Sequence, residues 1–108
     1  MTARSEYDAA YFTSLRAQEE RDALLTYHEY LRVEVARLEA FSAETRDAAE
    51  HLSPKVRRPI DGSTKPMLEA VGRRRSVVLD ELNRMDARVA AAQAFVDECE
   101  REVQALRG

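Results

Sequence analysis

Cysteine occurs once in this chain, at Cys99, so no disulfide can close within it, and a reducing compartment is the simplest setting. Tryptophan is missing and aromatics make up only 6% of residues, while charged residues make up 34%. That balance excludes a thick globular core and suits long, solvated helices. No apolar run approaches the roughly 18 residues that span a bilayer. The opening stretch MTARSEYDAAYF has no apolar centre and carries acids early, which fits neither a secretory signal nor a transit peptide. The expectation is an intracellular, cytoplasmic protein, with the nucleus left open. Glycine and proline are scarce, at three each, and neither occurs before residue 54.

What is present is helical periodicity. From Val78, steps of four and three reach Leu82, Met85, Val89, Ala92, Val96, Cys99, Val103 and Leu106, all apolar or small. Such a 3-4 alternation marks a narrow helix seam facing another helix. Backwards it reaches Val71 and Leu68, with only Arg75 breaking it. A long arginine can lie along a seam and keep its head in water. Ser63 and Thr64 offer cap hydroxyls, and Pro66 suits a first helical turn. The second helix is therefore expected over 66–107. In the first half Leu24, Leu31, Leu38 and Leu52 share one heptad position, with His28 and Val35 on the same stripe. With Ser53-Pro54 as a stop signal, a first helix is expected over 8–52.

Between them lies SPKVRRPIDGSTKP, which holds all three prolines and four cations. It reads as a loop over 53–65, with Asp61-Gly62 as a tight turn. The expected fold is all-α: one module, an antiparallel two-helix hairpin of coiled-coil type. Two helices share only one contact line and bury little surface, so the hairpin is expected to complete a bundle. The first helix supplies a surplus face, because Phe12, Tyr27, Tyr30 and Phe41 flank its leucine stripe and widen the apolar arc to roughly 160°. These four are the candidate partner-binding residues. The partner is a protein, either a second copy or helical subunits of a larger complex. The Ala-rich run from Ala87 to Ala94 offers a flat surface for a bulky neighbour.

Charge is segregated. From Ser53 to Arg75 there are seven cations (Lys55, Arg57, Arg58, Lys65, Arg73, Arg74 and Arg75) against two acids. The flanking segments are acidic, and the whole chain carries a net charge of -3. A basic hairpin tip is the second candidate site, able to meet phosphates, an acidic protein surface or anionic lipid. Nucleic acid is the weaker choice, since no aromatic lies in that segment to stack on bases. Arg73–Arg75 also lie within reach of acids on the first helix.

No phosphate-binding loop, dinucleotide fingerprint or nucleophile–base set occurs in the sequence. His28 and His51 have no ligand-spaced partners, and Cys99 on the seam, beside Glu98 and Glu100, is disfavoured as a thiolate. No catalytic, cofactor or metal residues are assigned, and the reading is a non-enzymatic structural or adaptor subunit. In outline such a hairpin resembles the β-type prefoldin subunits, which insert a β-hairpin between two helices. Here LSPKVRRPIDGSTKPM alternates too little for paired strands.

Overall fold

A computed structural model describes residues 3–108 and shows two helices, α1 over Ala3–Glu50 and α2 over Pro54–Arg107, with no strand among the described residues. The all-α antiparallel hairpin is the observed architecture. The chain divides into two compact units. One takes α1 up to Glu29 together with Arg84–Gly108; the other takes Tyr30–Asn83.

The reversal is far shorter than the sequence suggests. Only His51, Leu52 and Ser53 lie between the helices. The Leu52 N–H donates to the Ala49 carbonyl at 3.1 Å, and His51 Nδ1 lies 2.7 Å from the Asp47 carbonyl. Proline pushes the preceding residue out of the helical region, so Ser53 stops α1. The Ser53 carbonyl then accepts the N–H groups of Val56 at 3.0 Å and Arg57 at 2.8 Å, which makes it the N-cap of α2. Pro54 fills the first helical position, where its missing N–H is no loss.

The expected loop over 53–65 is thus corrected: it forms the opening turns of α2. The helix start assigned to Ser63, Thr64 and Pro66 falls instead at Ser53 and Pro54. Asp61-Gly62 is not a tight turn, since both residues lie within α2. Pro59 and Pro66 sit inside the helix. Each removes one N–H, so the carbonyls of Lys55 and Gly62 lose their helical donors, at a cost of about 3 kcal/mol per proline. Both prolines are exposed, and they stand seven positions apart. That spacing returns both rings to the same outward side of α2, away from the seam.

The seam is regular on both helices. Apart from Gln18 and Glu34, the buried and half-buried residues of α1 run Tyr7, Ala10, Ser14, Ala17, Arg21, Leu24 and His28, then Leu31, Val35, Leu38, Ser42, Thr45 and Ala49, and Leu52 in the reversal continues the series. These are the a and d positions of an unbroken heptad repeat. In the first unit Ala10, Ser14 and Ala17 are buried with Met85, Val96, Cys99 and Val103, and Ala17, Val96 and Cys99 form one apolar cluster. In the second, Leu31, Ala49 and Val78 are the buried apolar residues. The small residues that matter are therefore on α1. Within Ala87–Ala94, only Ala92 and Val89 are even half-buried.

Candidate partner-binding faces

With a and d fixed, every other residue takes a heptad position, and cross-helix contacts show which flank is which. Glu34 and Arg74 are both at g, and Arg74 Nε donates to Glu34 Oε1 at 2.7 Å. Gln18 and Glu100 are both at e, and Gln18 Nε2 donates to Glu100 Oε1 at 3.2 Å. Each unit accordingly has a g side and an e side.

In the Tyr30–Asn83 unit the two sides differ. Its exposed large apolar residues are Tyr30, Phe41, Val56, Ile60, Met67 and Val77, together with Val33. The first six all fall at c or g, and Val33 falls at the adjoining outward position. Tyr30 and Val77 are each 56% exposed. The Glu34–Arg74 pair sits among them, with the Glu34 side chain 17% exposed and its Oε2 buried without a hydrogen-bond partner. The e and b positions of the same unit carry Arg32, Glu39, Arg46, Lys55, Arg58 and Lys65, with Leu79 the one large apolar side chain among them.

Of the four aromatic candidates, Tyr30 and Phe41 belong to this apolar side. The α2 residues that share it were not anticipated, because a stretch read as a loop has no face. Continued back from Leu68 in the same steps, the register falls on Thr64, Asp61 and Arg57, so no apolar periodicity marked this stretch as helical. These polar residues replace apolar ones on the seam near the reversal, where they line a groove with Thr45 and Ala49.

Phe12 and Tyr27 lie in the first unit, where exposed apolar groups are not confined to one side. Phe12, 66% exposed, lines a shallow groove with Ala17, Ala92 and Phe95. Tyr11 makes an edge contact with Phe12 at 5.9 Å and stacks on Tyr7 at 6.2 Å, which carries aromatic surface around to the e side.

Of the seven cations, Lys55, Arg57 and Arg58 stand together beside the reversal, where they line one groove, and the others lie farther along α2. With 53–65 helical, Lys55 to Arg75 spreads along roughly 30 Å of α2. Arg75 Nη2 donates to Glu39 Oε1 at 2.7 Å, the head-in-water arrangement expected for this seam position. Arg57 pairs with Asp61 at 3.4 Å, and Arg74 is held by Glu34. Lys55, Arg58 and Lys65 project on the e and b side, and Arg73 points outward.

The histidines and the cysteine have structural surroundings. His28 Nε2 is 3.8 Å from Asp86 Oδ1, and His51 closes the last turn of α1. The Cys99 pKa is raised, by burial first and then by Glu98 and Glu102. Glu102, one helical turn onward, takes the place expected for Glu100, whose carboxylate is turned to Gln18. Among the described residues no three metal-ligating side chains converge, and no helix is long and apolar enough to cross a membrane. Compared with known proteins, the chain matches no protein-family model, no curated protein and no solved structure at a significant level.

Proposed function

We propose that this chain is a non-enzymatic coiled-coil subunit of a protein assembly that receives partner helices on exposed apolar faces of the hairpin. The observation that supports this reading is the one-sidedness of the Tyr30–Asn83 unit, with Tyr30 and Phe41 on α1 beside Ile60, Met67 and Val77 on α2. Scattered exposed apolar residues are ordinary on protein surfaces, whereas an apolar stripe rimmed by charge marks an interaction site. Covering each half-exposed side chain is worth about 1 kcal/mol, so a stripe of six supplies useful affinity while the solvated e side stays in water. Phe12, with Phe95 beside it, offers a second and smaller contact in the other unit.

The test is a photo-crosslinking side chain at position 41, compared with one at position 76 on the opposite side, in the cell the protein comes from. The reading expects a covalent adduct to a helical protein segment from position 41 and none from position 76. Absence of any adduct at position 41 refutes it.

A further inference from the structure

We infer that the occupant of the apolar c and g side of the Tyr30–Asn83 unit is a second copy of this chain, so that two hairpins close a four-helix bundle. The inference rests on the partner-helix reading above and names the partner.

Three observations carry it. The first is area. The chain exposes 7996 Å², whereas a folded monomer of 12.3 kDa exposes about 6,100 Å². The excess of about 1,900 Å² is spread over the whole chain, both units included, and leaves room for the roughly 800 Å² that each partner gives to a standard interface. The second is charge. The c and g positions of this unit hold Glu34, Glu44 and Glu81 with Arg37 and Arg74. The signs are mixed and nearly balanced, so the side meets a copy of itself without a single-sign field to oppose it. The e and b side instead carries five cations, at Arg32, Arg46, Lys55, Arg58 and Lys65, against three acids, a net +2 where the c and g side has -1, so like charge opposes a copy more strongly there. The third is placement. The apolar residues come from both helices, so they form a strip with the width of a helix pair. An isologous contact sets one such strip against another, with no component that the chain does not already hold.

The experiment is sedimentation equilibrium of the full chain over a dilution series, with circular dichroism on the same samples. The expected mass is twice 12.3 kDa. Val77→Glu should halve it, because a carboxylate would then be buried between copies. Ser76→Glu, one residue away but on the b side, should leave it unchanged. Because a lone hairpin can lose helicity once its partner leaves, a photo-crosslinking side chain at position 30 of the otherwise unaltered chain gives a second measure. It should yield a covalent dimer whose crosslinks end on c or g residues of 30–83. A mass of 12.3 kDa at every concentration overturns the inference, as does a dimer indifferent to Val77→Glu or crosslinks that end on the e side. If the chain is monomeric yet position 41 captures a different protein, only the second-copy assignment falls. If position 41 captures nothing, the partner-helix reading falls with it.

Discussion

Replacing Gly62 by alanine separates two descriptions of the same stretch. In a tight turn with left-handed backbone, a Cβ costs roughly 1–2 kcal/mol. In α2 the residue has no positive φ, and an added Cβ would meet nothing within 4 Å. Glycine inside a helix is less favourable than alanine by about 1 kcal/mol, so Gly62→Ala should stabilise by that amount. That corresponds to about a fivefold rise in the folded-to-open ratio of the turns around it. Native-state amide exchange over residues 58–68 reads this directly. If the hairpin melts as one unit, the thermal midpoint should also rise by about 4 °C. Gly72→Ala is the internal control, since Gly72 also has open space at its Cβ and lies in α2 on either description. Protection that rises for Gly72→Ala but falls for Gly62→Ala would refute continuity of α2 through 54–66, and with it the roles given to Ile60 and Val56.

Other perturbations address the seam. Met85→Ala empties a fully buried site and should cost about 2–5 kcal/mol, enough to unfold a small hairpin in a urea titration, whereas Val33→Ala should be nearly silent. Ala17→Leu overfills the cluster with Val96 and Cys99 and should cost about 1–3 kcal/mol by the same titration. Arg74→Ala should destabilise more than Glu34→Ala, because the first leaves a mostly buried carboxylate unpaired and the second leaves a half-exposed guanidinium in water. Cys99 should resist alkylation until the chain is unfolded. Its raised pKa means the folded state holds the thiol proton more tightly, so this contribution is complete below the usual thiol range. It is lost as pH climbs through the folded value, and stability to urea should fall on that alkaline side.

The hairpin itself was legible in the sequence, and α2 beyond Leu68 could be read residue by residue. Its seam is built from valine, leucine and methionine, which carry a strong periodic signal. The start of α1 gave no such signal. Its seam residues are Tyr7, Ala10, Ser14, Ala17 and Arg21: three small ones that are buried, between a tyrosine and an arginine that are half-buried. Hydropathy is blind to that kind of contact. The stretch 53–65 was misread for a different reason: its prolines and glycine read as breakers, and the register that continues through it falls on polar residues. Proline in a helix removes one hydrogen bond, and where that bond faces water the helix can persist. The aromatic flank of α1 was visible, but its α2 counterpart depended on knowing that those residues are helical. A loop would have collected all seven cations, whereas the helix keeps Lys55, Arg57 and Arg58 beside the reversal and carries Arg73–Arg75 farther along.

The three-residue reversal also sets how this molecule can be rewired. Tyr7 of α1 and Arg107 of α2 border the same groove, so the start of α1 and the last turn of α2 are neighbours. A short linker between them, with a new opening cut just before Ser53, would keep the serine cap and Pro54 at the head of what becomes the leading helix. The order of the helices along the chain would be exchanged while each seam kept its partner. For such a topology the bend is a convenience of synthesis, and the pairing of the helices belongs to the stripes along their sides.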